Sequence, residues 1–140
     1  MNALIDQLAA LRLHGMAACA QDLLAARTPP SLTTALKTLI EAETKERRVR
    51  SIQYQMRIAK FPHHKDFATF DYGAATVTKA QIDPFCSGQF TDDAHNIILV
   101  GGTGTGKTHI SIALGTNLVN RGKRVRFYNA VDMINALIAE

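Results

Sequence analysis

Asn96-Ile97-Ile98-Leu99-Val100-Gly101-Gly102-Thr103-Gly104-Thr105-Gly106-Lys107-Thr108 is the stretch on which the fold turns. Its first five residues form a short β-branched apolar run, the pattern of a buried parallel strand. The next eight fit G-x-x-x-x-G-K-[ST], a loop whose glycines let successive backbone N–H groups converge on an anion. His109 to Val119 continues as a helix, whose start near Lys107 adds a positive dipole end and unpaired N–H groups at the same point. Strand, loop and helix together predict a phosphate site at Gly101, Gly102, Thr103, Gly104, Thr105, Gly106, Lys107 and Thr108. There the Lys107 ammonium is expected to reach β- and γ-phosphates, and the Thr108 hydroxyl to ligate magnesium.

Downstream of this stretch, Arg121-Gly122-Lys123 reads as a helix C-cap, with basic residues favourable at the helix end. Arg124-Val125-Arg126-Phe127-Tyr128 alternates as a second strand, and Asn129 is placed to cap a helix through Val131, Ile134, Leu137 and Ile138. Upstream, Thr78-Lys79-Ala80-Gln81 is a capping box opening a short helix that ends near Gly88, packed down by Phe85 and Phe90. Phe67, Phe70 and Tyr72 make residues 66–75 an aromatic connector, expected to pin the preceding helices onto the next domain.

Two helices are expected before that connector. The first runs from Asn2, its N-cap, to about Ala26, with Leu4, Leu8, Leu11, Met16, Cys19 and Leu23 on one apolar stripe. Thr28-Pro29-Pro30-Ser31 breaks it, and Ser31 caps a second helix from Leu32 to about Ala59 that Phe61-Pro62 ends. A five-residue break between two helices predicts an antiparallel hairpin.

Composition sets the outer limits. At 140 residues, 46% apolar and 20% charged, the chain suits one domain, or a helical module plus part of a second. No apolar run approaches the ~18 residues of a membrane span, and Met1 to Asp6 lacks the start of a signal peptide. Cys19 and Cys86 stand alone, which fits two isolated buried thiols in a cytoplasmic protein. His63-His64 has no second ligand pair at zinc spacing.

The net charge of +4 is concentrated: residues 31–65 carry eight basic residues against three acidic ones. That asymmetry points to an anionic partner, and Lys45, Arg47, Arg48, Arg50, Arg57 and Lys60 are the candidate DNA contacts.

The chain also resembles the IstB-like ATP-binding proteins, helper ATPases of insertion-sequence transposition related to DnaC-type helicase loaders. Leu11-Arg12-Leu13-His14-Gly15-Met16 is similar to the family's opening signature, and Phe70-Asp71-Tyr72 to its Phe-Asp-aromatic connector. Asn96, Gly101 to His109, Ala113-Leu114-Gly115, and Gly122 followed by Val125 and Phe127 stand where the family pattern has them. Gly102 departs from the proline common at the second loop position, and Phe90 from a common tryptophan.

The resemblance implies an α/β fold: an N-terminal α-helical hairpin, then the first part of a P-loop NTPase (AAA+-like) αβα core, incomplete. Residues 1–65 would be the helical domain contacting partner or DNA, 66–95 the connector, and 96–140 the start of the ATPase core. It adds His109 to the nucleotide-binding residues and implies ATP, magnesium, double-stranded DNA, a transposase and self-assembly of the full core into an oligomer. The family's acidic magnesium strand, sensors and arginine finger have no counterpart in this sequence, so no catalytic residue is assigned. The expected function is an ATP-binding helper that binds DNA without reading sequence and directs a transposase to its target. The alternatives are a replicative helicase loader and a truncated remnant that only binds nucleotide.

Overall fold

The computed structural model describes residues 3–139, and among them are seven helices and no strand. Contacts divide the chain into two compact units, residues 1–51 and 52–140. That division falls inside a helix, ahead of the boundary at 65 that the family resemblance implies.

In the first unit, α1 (Ala3–Ala10) packs on α2 (His14–Ala25). The single helix expected over this stretch is broken at Leu11–Leu13, and Asn2, its expected cap, lies outside the described residues. The break is a Schellman turn: Leu13 N–H donates to Leu8 O (2.9 Å) and Arg12 N–H to Ala9 O (2.9 Å). Arg12 takes the left-handed position (φ 61°) that glycine usually fills, so nothing in the local sequence announces the stop. The apolar stripe is only partly covered. Leu8, Met16, Cys19 and Leu23 are half-buried, Leu4 and Leu11 are exposed, and the buried positions go to Ala17 and Ala20.

Ser31 caps α3 (Leu32–Ala59) as expected, its Oγ accepting the Thr34 N–H at 3.3 Å. α2 meets α3 through its first turn, where Gly15 lies so close that a Cβ would stand 2.5 Å from Ala42 O. Any other residue there would force the two backbones apart.

In the second unit, α3 ends at Lys60 (φ 54°). Its last carbonyls, Ile58 O and Ala59 O, accept from Arg126 Nη1 (3.0 Å) and the Phe127 N–H (2.8 Å). The capping box across Thr78 and Gln81 opens α4 (Lys79–Cys86), with the Thr78 N–H donating to Gln81 Oε1 at 2.9 Å. Gly88 then starts an unexpected short helix, α5 (Gln89–Asp92), and Phe85 meets Phe90 edge to face at 6.1 Å.

α6 (Lys107–Asn120) is the centre of this unit. Ile110, Ile112, Ala113, Leu114, Gly115, Thr116, Leu118 and Val119 are all buried along it. Burying side chains such as Ile112 and Val119 contributes about 1.5–3 kcal/mol each. Phe70, Ile82, Ile110 and Leu114 form a core cluster, with Ile97 and Leu99 packed against it. α6 ends as predicted in a Schellman turn at Gly122 (φ 84°), and the Asn129 side chain caps α7 (Ala130–Ile138) by accepting the Asp132 N–H at 2.7 Å.

The two expected strands are corrected. Residues 96–100 and 124–128 form no ladder among the described residues. They do keep strand-like alternation: Ile97, Leu99, Val125 and Phe127 are half-buried, whereas Ile98 (83%) and Val100 (91%) are exposed. A strand is defined by its neighbour's hydrogen bonds, and among the described residues no backbone hydrogen bond joins these two segments. A cavity of about 1000 Å³ is lined by both segments and by α6. The expected αβα core is therefore present only as a helix with two unladdered segments, and the fold among the described residues is helical.

Candidate functional site

The glycine-rich loop leaves residue 100 and enters α6 directly at Lys107. Gly104 (φ 76°) and Gly106 (φ 85°) both take left-handed conformations, which turn the chain sharply into the helix. Gly106 has a second reason to be glycine: a Cβ there would lie 2.9 Å from Cε2 of Phe70. Gly102 and Gly104 have open space where a Cβ would be, leaving the outer side of the loop accessible to a bulky anion.

The Lys107 ammonium folds back over the loop. It donates to Gly101 O (2.8 Å) and Gly102 O, and lies 3.3 Å from Thr105 Oγ1, whose hydroxyl donates to Gly102 O at 2.9 Å. α6 begins with no side-chain cap, so its positive end and this ammonium face the same small volume. Thr108 is exposed in the first turn. The structure thus brings together Gly101 through Thr108 as one loop.

His109 has a different place. Its Nε2 lies 2.8 Å from Asp66 O, so the ring nitrogen donates, and the ring packs edge to face on Phe70 at 5.0 Å. The Asp66 carboxylate in turn accepts the Thr69 N–H and hydroxyl, both at 2.9 Å, and those bonds hold it below the usual carboxylate range. The connector is therefore fastened to the helix carrying the loop. Phe70, buried against Gly106, His109 and Tyr72, supports the loop from behind. Its aromatic character was visible in the sequence, but not that it packs against the last glycine of the loop. A cavity of about 220 Å³ is bordered by this connector, by Gly104 to Gly106 and by His109.

Two features bear on what the site can hold. The large cavity bordering Lys107 and Thr108 has no carboxylate among its described lining residues. Thr91, Thr108 and Ser111 bring hydroxyls to that lining, and the hydroxyl 3.3 Å from the Lys107 ammonium is that of Thr105. Among the described residues no group of three or more His, Cys, Asp or Glu could hold a metal by itself. Burial raises the Cys86 thiol, which leaves it the protonated, unreactive form, and both cysteines are free and half-buried rather than fully buried.

The candidate DNA contacts fall into two sets. Arg47 Nε donates to Glu43 Oε1 at 2.7 Å, and Arg50 bridges Glu46 (3.3 Å) and Glu43 (3.7 Å). Glu43 is buried (5%), accepting the Gly15 (2.9 Å) and Met16 (3.3 Å) N–H groups at the start of α2. The Arg47 hydrogen bond first, then those N–H groups, keep its carboxyl below the ordinary value against the opposing cost of burial. Arg47 and Arg50 therefore have acidic partners inside the protein. Lys45, Arg48, Arg57 and Lys60 are exposed without an acidic partner among the described residues.

Comparison with known proteins places the chain first in a class, the ATP-binding proteins of insertion sequences. Specifically, the chain belongs to the family of IstB-like ATP-binding proteins, whose sequence profile matches residues 6–140. It is 37% identical over 100 residues to a Geobacillus stearothermophilus protein named as an ATP-binding protein of insertion sequence IS5376. That alignment covers 71% of this chain and 40% of the relative. A Pseudomonas aeruginosa protein named for IS21 is 29% identical over 100 residues, 71% of this chain and 38% of its own length. A Mycobacterium tuberculosis insertion-sequence protein is 31% identical over 103 residues, 73% and 41% respectively. The matched stretch thus spans about two fifths of these relatives. No helix among the described residues is long and apolar enough to cross a membrane.

Proposed function

We propose that this chain is the ATP-binding part of a DNA-transposition helper. In this reading it holds the phosphates of ATP on the loop from Gly101 to Thr108, binds double-stranded DNA without reading sequence, and directs a transposase to its target. The observation that carries it is the conjunction of the left-handed glycines, the uncapped start of α6 and the Lys107 ammonium at one point. Converging N–H groups and a cation at a helix N-terminus suit a triphosphate better than any neutral ligand. The cavity of about 220 Å³ beside the loop is the adjoining space for the rest of the nucleotide.

Thr108 is the magnesium ligand in this reading, and the ion supplies charge neutralisation at the phosphates. The protein's own part is to bind and orient: Phe70 and His109 fix the loop, and Lys107 exchanges its carbonyl partners for phosphate oxygens. Turnover further requires a carboxylate for the ion and a group to orient water. The matched stretch spans about two fifths of the relatives, and those roles, like self-assembly into an oligomer, are proposed for a chain of the relatives' length.

Titration calorimetry with ATP and magnesium tests the reading. Charge-assisted hydrogen bonds contribute about 1.5–3 kcal/mol each, so Lys107→Ala is expected to weaken ATP by about tenfold or more. Equal affinity of the variant and the parent chain would sink it.

A further inference from the structure

The cations along α3 differ in what surrounds them: Arg47 and Arg50 pair with glutamates, whereas Arg57 and Lys60 at the end of the helix border a cavity. Arg57, Lys60, His63 and His64 line a cavity of about 300 Å³ together with Phe61 and Thr116, and no carboxylate is among the lining residues. The Asp66 carboxylate stands 3.6 Å from His64 Nε2. Arg57, Lys60 and His63 have no acidic partner among the described residues.

The frame beneath these side chains is rigid. Ala59 is fully buried, and the carbonyls of Ile58 and Ala59 are held by Arg126 and Phe127. Phe61 packs edge to face on Phe127 at 6.3 Å and lies against Gly115 of α6. Two permanently charged side chains, Arg57 and Lys60, and two imidazoles, His63 and His64, thus border one opening beside that frame.

The kind of anion follows from the helix polarity. This is the C-terminal end of α3, whose dipole is negative, and it offers none of the converging N–H groups that hold a single phosphate. A lone phosphate has little to gain here. A polyanion gains from several cations at once, by releasing its condensed counterions. We propose that this cavity is a second phosphate site, separate from the loop, which takes the phosphodiester backbone of a nucleic acid. The inference rests on the DNA-binding part of the function proposed above and assigns that binding to Arg57, Lys60, His63 and His64.

Fluorescence anisotropy of a labelled duplex of arbitrary sequence, across a salt series, tests it on the full chain. Arg57→Gln with Lys60→Gln is expected to lower affinity about tenfold and to reduce the salt slope by about two. His63→Asp, in the loop after α3, is expected to lower it several-fold with little risk to folding. Arg27→Gln with Lys37→Gln removes the same charge elsewhere and is expected to change affinity less than about twofold. ATP affinity measured in parallel reports whether each variant is folded, and if the double variant fails that check, His63→Asp decides. Unchanged affinity and slope in folded site variants of a chain that binds duplex would overturn the assignment while leaving DNA binding intact. Displacement of the duplex by inorganic phosphate at low concentration would overturn the choice of a backbone ligand. A parent chain that does not bind duplex at all would instead remove the DNA-binding reading, and this site with it.

Discussion

Two helix starts in this protein meet the same electrostatic demand in opposite ways. At α2, the N–H groups of Gly15 and Met16 point at a carboxylate the protein supplies itself, Glu43 of α3. At α6, the first turn has no side-chain cap, a lysine ammonium lies over the loop, and the large cavity bordered by Lys107 and Thr108 has no acid among its lining residues. Each start depends on a glycine at a close approach, Gly15 against the backbone of Ala42 and Glu43, Gly106 against the ring of Phe70. The first arrangement is closed and structural. The second leaves its positive field directed outward, as a ligand site requires. A helix N-terminus becomes a binding site when the protein withholds the anion that would complete it.

The contrast can be broken by substitution, and the largest effect is expected at Gly15. Gly15→Val places a side chain on the Ala42 carbonyl, where only backbone movement relieves it, at a cost of about 2–3 kcal/mol. Denaturant melting followed by circular dichroism reads that loss, and ATP affinity is expected to stay unchanged. Gly106→Ala should cost less, about 1–2 kcal/mol of left-handed strain and contact with Phe70. It should also weaken ATP measurably in calorimetry, the signature separating the open start from the closed one. Asn129→Ala tests a third, neutral way of starting a helix. It is expected to lose about 1 kcal/mol of α7 capping, seen as local fraying in amide exchange with the ATP site untouched.

The smallest effect over ordinary conditions concerns pH. Glu43 has its carboxyl lowered in the folded chain, so the stability it contributes is present above the unfolded value and is lost as pH falls through the folded one. Melting of the parent chain should therefore show no Glu43-dependent change between about pH 6 and 8, and a decline in acid below the ordinary carboxylate range. Glu43→Gln should remove that acid limb. An acid limb that persists unchanged in Glu43→Gln would assign it to another carboxylate and weaken the parallel between the two helix starts.

Legibility in the sequence followed the range of the cause. Features set by neighbours a few residues apart were readable: Ser31, Thr78 and Asn129 as caps, Pro62 beyond the end of α3, Gly122 as the left-handed stop of α6, and the loop itself. The break at Arg12 was not, because Schellman stops normally carry glycine and this one does not. Lys60 and Ala94 also take left-handed conformations without being glycine, and the short α5, whose closing turn passes through Ala94, went unseen for the same reason. The strands failed for a nonlocal reason, since apolar alternation gives a segment its two faces but cannot supply the neighbour that makes it a ladder. Glu43 was hidden by its company: in Lys45-Glu46-Arg47-Arg48-Val49-Arg50 and its flanks, nothing local distinguishes a solvated acid from a buried one.

One hydrogen bond described above also sets a clock. The carbonyl at the end of α3 waits for the N–H of Phe127, and the adjoining pair, Ile58 and Arg126, lies 68 residues apart. At synthesis rates of about 5–20 residues per second, roughly 3–14 seconds separate the emergence of the two partners. Through that interval the helix end and the aromatic face of Phe61 are without the segment that covers them. Closure of the second unit thus waits for synthesis to pass residue 127, and the nascent chain carries its glycine-rich loop before the segment that covers the end of α3 is made.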